Sequence, residues 1–349
     1  SSLTGGATPM GEVVLSLSKL AASGTPAATH ITVQPGVTLT SLRDTLTAAG
    51  KAYPPVPTYE GATVGGIVST NAAGAATFKY GTTRDWVRGL TVMLACGELL
   101  ELERGRVRAE QGRFEIETSE GAITVSVPTY QMPDVPKHSA GYHAAPDMDL
   151  IDLFIGSEGT LGVVTSVTLD VLPRRPEVCL VQIALDDEPR AVALASRLRD
   201  VSVETRRARD RHGLDVVAIE HMDRRCLELL REEGADRRSR VTIPHTAAVV
   251  LLAQVELPHE TTAAQMYAEV GLAASPQAPD TPIVRLCRLL EADGLLEATE
   301  LAAPGDRTRA AALLALREAV PEAVNRRIGI AKRRVDDTIE KTAADMIVP

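Results

Sequence analysis

Close-spaced cysteines are absent from the chain. The four present, Cys96, Cys179, Cys226 and Cys287, are scattered with no Cys-x-x-Cys pair. Neither a structural zinc site nor an iron–sulfur site is signalled, no other metal site is expected, and reduced, mostly buried thiols follow. No apolar run is long enough to span a bilayer, and no signal peptide opens the sequence. A P-loop, a His-Glu-x-x-His pattern and a Gly-x-Gly-x-x-Gly after a strand are all missing, which disfavours a metalloprotease and a nicotinamide Rossmann site. An excess of positive charge is missing too. The net charge is −9, which argues against a nucleic-acid partner. The basic runs Arg206-Arg207-Ala208-Arg209 and Lys332-Arg333-Arg334 sit among Asp and Glu and read as solvated helix faces or an exposed loop. No internal repeat is evident.

What is present suits a globular enzyme. With 349 residues, 44% hydrophobic and 24% charged, two domains with their own cores are expected. A cytoplasmic location fits, with peripheral membrane association as the alternative. The most informative stretch is Gly156-Ser157-Glu158-Gly159-Thr160-Leu161-Gly162-Val163-Val164-Thr165, three glycines at three-residue spacing before an alternating run at 163–172. It reads as a backbone cradle feeding a strand, suited to a large anionic ligand. An ordinary glycine turn competes with that reading. Two further stretches of small side chains strengthen the first: residues 61–74, Gly-Ala-Thr-Val-Gly-Gly-Ile-Val-Ser-Thr-Asn-Ala-Ala-Gly, and the opening Ser1-Ser2-Leu3-Thr4-Gly5-Gly6-Ala7. Hydroxyls and unobstructed amides suit phosphate and ribose oxygens.

Local patterns place these stretches on elements. Residues 30–33 alternate as a strand, Pro35-Gly36 turns, and Leu39, Leu42, Leu46 and Ala49 share a helical face that Gly50 can end. Residues 90–95 and 99–102 flank Cys96-Gly97-Glu98 as a hairpin. Residues 111–127 read as a polar surface insertion with strand character. After Leu172-Pro173-Arg174-Arg175-Pro176 the character changes, so a first domain is expected at 1–173 and a second at 174–349. In the second, 178–184 reads as a strand, 189–198 as an alanine-rich helix, 247–253 as a buried strand and 308–320 as a packed helix. Strands alternating with helices imply an α+β class.

Taken in order, Ser1 to Pro9, Gln34-Pro35-Gly36-Val37, Tyr53-Pro54-Pro55, Gly61 to Gly74, Lys79-Tyr80-Gly81-Thr82-Thr83, Lys137 to Tyr142 and Asp149 to Pro173 resemble the FAD-linked oxidases and dehydrogenases of the vanillyl-alcohol oxidase type, in the branch of D-lactate dehydrogenase and glycolate oxidase subunits. The resemblance implies a PCMH-type FAD-binding domain, lacking its N-terminal βαβ part, followed by a ferredoxin-like cap that serves as the substrate domain. It implies that Ser2, Leu3, Thr4, Gly5, Gly6, Ala62, Thr63, Gly65, Gly66, Ser69, Thr70, Asn71, Ala72, Tyr80, Gly81, Thr82, Glu158, Gly159, Gly162, Val163 and Val164 contact FAD. Relatives that tether FAD through a histidine in the first loop place it about where Ser1 stands, and serine cannot form that bond, so non-covalent FAD is expected. Against the family pattern the chain reads as truncated at both ends, with the His-rich segment that follows Asp345-x-x-Val348-Pro349 missing.

The implied reaction oxidises a small 2-hydroxy acid or related carboxylate by hydride transfer to flavin. Arg317 matches a family arginine that holds the substrate carboxylate, a task suited to a planar fork of donors; a surface arginine on an amphipathic helix is the equal alternative. His138 stands where the family has asparagine, beside the isoalloxazine, and reads either as a proton acceptor or, the better bet, as a polar substitute making one hydrogen bond. His221 and His259 read as structural or surface residues. The electron acceptor is open, an iron–sulfur partner subunit being one candidate. Two other readings stand beside the lead: a catalytically incomplete flavin-fold fragment or binding subunit of an oxidase complex, and a sugar or alcohol oxidase on the same fold.

Overall fold

The structure is a computed structural model that describes residues 11, 13–57, 59, 61–119, 121–135, 137–138 and 141–339. The chain divides into two compact units between Arg175 and Pro176.

The first unit contains, in chain order, β1 (His30–Val33), α1 (Leu39–Ala48), β2 (Lys51–Ala52), α2 (Val64–Ser69), α3 (Thr77–Tyr80), β3 (Val87–Met93), β4 (Leu99–Glu103), β5 (Arg113–Thr118), β6 (Gly121–Ser126), α4 (Ile151–Phe154), β7 (Val163–Asp170) and β8 (Leu172–Pro173). Four strands form an antiparallel sheet in the order β1-β7-β3-β4. Alternation sends Ile31, Val33, Leu90, Val92, Val167 and Leu169 to one face, where α1 supplies Leu39, Leu42 and Leu46 and α2 supplies Val64, Ile67 and Val68. Polar residues on the strands face the other way, and the Thr32 and Thr168 hydroxyls meet there at 2.9 Å.

Helix α1 follows the leucine spacing. Thr38 caps it by accepting from the Ser41 amide, and Gly50 ends it at a φ of +66°. Ala49 is exposed at the C-cap rather than on the buried face. The hairpin around Gly97 is formed by β3 and β4. The expected surface insertion is a second hairpin, β5 with β6, and it is less superficial than its polarity suggested. Phe114 and Ile116 are buried in the main core while Glu115 and Glu117 stay outside.

Small side chains gave no reason to expect a helix inside residues 61–74, yet α2 occupies the middle of that stretch. Thr63 starts it, its hydroxyl accepting from the Gly66 amide at 3.3 Å. Loss of that cap in Thr63→Ala is expected to cost about 1 kcal/mol, measurable as a lower urea midpoint at unchanged slope.

The second unit contains β9 (Glu177–Leu185), α5 (Glu188–Ala208), β10 (Asp215–Met222), α6 (Arg224–Glu232), α7 (Ala235–Ser239), β11 (Val249–Leu257), α8 (Ala263–Leu272), α9 (Pro282–Ala292), β12 (Thr299–Ala302) and α10 (Arg307–Arg334). Its sheet is antiparallel in the order β10-β11-β9-β12. Numbered within the unit, that is 2-3-1-4 on a βαββαβ path, with α6 and α7 inserted after the second strand: a ferredoxin-like arrangement. One face packs Cys179, Val181, Ile183 and Leu185 against α5 and α9. The other packs Leu180, Ala184, Val250 and Leu252 against α6 and Leu313 and Leu316 of α10. Burial on both faces explains why β11 reads as a continuous apolar run.

Two helices run beyond their apolar patterns. Helix α5, expected at 189–198, starts at Glu188 behind an Asp187 cap and continues to Ala208. Its last turn is held by Arg206, half-buried on Asp215 at 2.7 Å and so not the solvated arginine expected. Helix α10 continues through Pro321 to Arg334, with Leu313, Leu316 and Ala323 as its buried residues. Cys96 is exposed, unlike the buried Cys179, whose thiol burial pushes up to about 12, marking an inert core residue. Among the described residues no helix is long and apolar enough to cross a membrane, and no cluster of three or more metal-ligating side chains occurs.

Candidate cofactor site

Two of the three small-residue stretches meet in the first unit; the opening one, with Ser2, Leu3, Thr4, Gly5 and Gly6, lies outside the described residues. The loop that begins at Gly156 docks on the end of α2 through two backbone bonds, Gly156 N–H to the Val68 carbonyl at 2.9 Å and Glu158 N–H to the Ser69 carbonyl at 2.8 Å. Four residues here hold positive φ: Asn71 at 44° and Glu158 at 55°, both unusual for side-chain-bearing residues, and Gly156 at 83° and Gly159 at 76°. Asn71 is buried, and its side-chain carbonyl accepts from the Arg84 amide at 2.9 Å.

Under the loop lies a buried ionic cluster. Arg84 donates through Nη1 to the Asp152 carbonyl at 2.6 Å and to Asp152 Oδ1 at 3.0 Å, and through Nη2 to the Ile155 carbonyl at 2.6 Å. Arg104 donates to both Asp152 carboxylate oxygens at 3.1–3.2 Å, and to the Val87 and Arg84 carbonyls. Asp152 itself is buried. A neighbouring aromatic group closes the region: Trp86 meets Tyr53 and Tyr80 edge-on and donates its indole N–H to the Tyr80 carbonyl at 2.7 Å. Tyr53 is buried with its hydroxyl on Thr83, and burial drives its pKa well above the ordinary phenol value.

The glycines play different parts. A Cβ on Gly65 would lie 2.7 Å from Pro35 Cβ, one on Gly74 would overlap the Val56 carbonyl oxygen, and one on Gly162 would fall 2.6 Å from Val92 Cγ1. These three are small because protein packs on them. Gly159 differs: at φ +76° it has nothing within 4 Å of a built Cβ, so the tip of the loop is open to close approach. Many amides expected to be unobstructed are engaged within the protein, since Gly65 N–H donates to Pro35, Gly66 N–H to Thr63, and Gly156 and Glu158 as above. The helix in the middle of the stretch is the physical reason.

Of the other expected site residues, Thr70, Asn71 and His138 line one small cavity with Arg84, His143 and Gly156. His138 Nε2 lies 2.7 Å from the Pro133 carbonyl, and its ring stands 6.2 Å from that of His143. Burial first, then the nearby Arg84 charge, hold the His143 imidazole below its ordinary range. Thr82 N–H is capped by Asp85 at 2.7 Å. Ala62 is buried, Gly81 turns at φ 72°, and Val163 and Val164 open β7. Arg317 belongs to the second unit, where Nη1 contacts Glu220 Oε1 at 2.9 Å. His221 pairs with Glu188 at 2.8 Å. Arg84, Asp152 and Arg104 were not singled out from the sequence, and His143 was weighed there only with His138 as an unlikely metal pair.

The open loop tip and its docked frame fit a dinucleotide site, and comparisons with known proteins agree. Residues 1–103 match a family described as FAD binding domain. The D-lactate dehydrogenase of Anaerostipes hadrus is 39% identical over 143 residues, which cover 41% of this chain and 23% of that protein. The D-lactate dehydrogenase of Archaeoglobus fulgidus is 29% identical over 240 residues, covering 67% and 43%, and glycolate oxidase subunit GlcD of Bacillus subtilis is 28% identical over 236, covering 67% and 39%. Among solved structures, an alkyldihydroxyacetonephosphate synthase aligns at a TM-score of 0.50 and 16% identity, over 86% of this chain and 47% of that one, a likeness of fold alone. The chain thus spans less than half the length of these relatives.

The first 103 residues match an FAD binding domain, which makes FAD the cofactor, and the chain is similar to D-lactate dehydrogenases and to a glycolate oxidase subunit.

Proposed function

We propose that the chain binds FAD non-covalently on the loops at 61–74 and 156–164 and serves the oxidation of a small 2-hydroxy acid. The docked loop pair, open at Gly159 and rigidly framed by Asn71 and Arg84, is the observation that carries the reading. FAD supplies the hydride acceptor when bound. The chain's own contribution is to orient that cofactor: small side chains permit close approach, and left-handed Asn71 and Glu158 fix the loop path. The second unit is read as the substrate domain, with Arg317 holding the substrate carboxylate. One Nη1 bond to Glu220 leaves donors of the guanidinium fork for that task. His138 is read as a polar side chain near the flavin.

Anaerobic mixing of the FAD-loaded chain with D-lactate, glycolate or D-2-hydroxyglutarate tests the reaction. Loss of the visible flavin band with one of them is expected; a flavin that none of them bleaches contradicts it. A second reading, cofactor holding without turnover, is favoured by one observation: His138 and Arg317 are both engaged by protein groups. Retained but unreduced flavin selects that reading.

A further inference from the structure

We propose that Arg84 is a positioning residue, a clamp that fixes the loop beginning at Gly156 against the segment following α2 and thereby sets how tightly the chain holds FAD. The proposal rests on the cofactor reading above.

The placement of every bond supports it. Helix α4 is a single turn whose end leaves carbonyls without helical partners. Arg84 meets two of the carbonyls there, Asp152 with Nη1 and Ile155 with Nη2, both at 2.6 Å. Ile155 directly precedes Gly156, so the fork grips the loop at its root. From its other side the same residue offers its amide to the Asn71 side chain at 2.9 Å, and Asn71 follows the carbonyls of Val68 and Ser69 that receive the loop amides. Gly156 completes the contact, since a Cβ there would sit 3.2 Å from Asn71 Cβ and 3.6 Å from Arg84 Nη2. One residue, bonding 152–155 through its side chain and Asn71 through its backbone amide, therefore ties together three separate segments. Arg104 and Asp152 hold the guanidinium in place, Asp152 bonding both arginines and Arg104 bonding the Arg84 carbonyl at 2.9 Å. A planar fork is required, because the two carbonyls are met by different nitrogens; a lysine ammonium is a point charge without that span.

The test compares the full chain with Arg84→Gln, Arg84→Lys and the control Leu46→Ala, which empties a buried site in α1 away from the loops. Hydrogen exchange of the flavin-free proteins reads the clamp, and titration with FAD reads its consequence. Arg84→Gln is expected to speed exchange at 156–160 and 68–72 by at least about tenfold, with β3 and β7 unchanged, and to weaken FAD binding roughly 10- to 100-fold, as loss of charge-assisted bonds implies. Arg84→Lys should restore neither, and Leu46→Ala should lower stability while leaving FAD affinity alone. Wild-type exchange in Arg84→Gln overturns the clamp whatever the flavin does. Equal loss of affinity in Leu46→Ala reduces Arg84 to a general structural role and overturns the proposal. Faster exchange in a protein whose wild type takes up no FAD sinks the cofactor reading and, with it, the claim on affinity.

Discussion

Asp152→Ala is expected to destabilise the first unit by about 3–5 kcal/mol, the cost of stripping the partner from a buried ion pair. Asp152 is 8% exposed and bonds to both Arg84 and Arg104. Its removal leaves two guanidiniums facing a cavity that neither can leave, since each is also held by backbone carbonyls. Asp152→Asn keeps an oxygen but brings an amide N–H₂ against donors, and should fall between alanine and wild type. Trp86 makes the measurement direct. It is the only tryptophan in the chain, lies in the first unit two residues from Arg84, and packs against Tyr53 and Tyr80. Its fluorescence therefore reports unfolding of this unit, and a fall in Tm of roughly 6–20 °C is expected for a unit of this size. A shift within about 2 °C of wild type would show that the pairs contribute as little as exposed ones do.

Gly74→Ala is the second large effect. A Cβ there would overlap the Val56 carbonyl oxygen, lie 2.8 Å from Val56 carbonyl carbon and come within 3.3 Å of Pro57 Cα. All three are backbone atoms, so no side chain can swing aside, and the two segments must separate. The turn that follows is tight, with Thr77 Oγ1 donating to the Gly74 carbonyl at 2.7 Å and accepting from its amide at 3.1 Å. Overpacking of this kind costs about 1–3 kcal/mol and occasionally more; a value at the upper end is expected by urea unfolding. Gly159→Ala is the informative contrast. Its Cβ meets nothing, so the cost is confined to a left-handed backbone, about 1–2 kcal/mol. If Gly159 faces the cofactor, its alanine variant should lose more FAD affinity than stability, and Gly74→Ala the reverse.

Patterns carried by neighbours in sequence were legible. The leucines of α1 and the hairpin at Gly97 follow from a local period and a nearby turn residue, and β11 from an unbroken apolar run of strand length. Length was harder to read. Helices α5 and α10 outrun their apolar stripes because their later turns bury few residues, Ser202 and Thr205 in α5 and Ala323 in α10, and are otherwise rich in charge. The three small-residue stretches drew attention to the loop pair, but the helix within 61–74 and the packing duties of Gly65, Gly74 and Gly162 were hidden, since a glycine at a protein contact and one at a ligand look alike in sequence. The Arg84–Asp152–Arg104 cluster was hidden for another reason. Its members lie 68 and 48 positions apart, and only the fold brings them together.

The central claim is that the loops of the first unit hold FAD. The most direct measurement is the visible absorption spectrum of the purified 349-residue chain after incubation with FAD and removal of the excess, followed by acid precipitation. A flavin spectrum that stays with the folded chain and leaves with the supernatant on precipitation is the expected result. A colourless chain whose Trp86 fluorescence shows it to be folded would contradict the claim, and flavin that stays with the precipitate would contradict its non-covalent form.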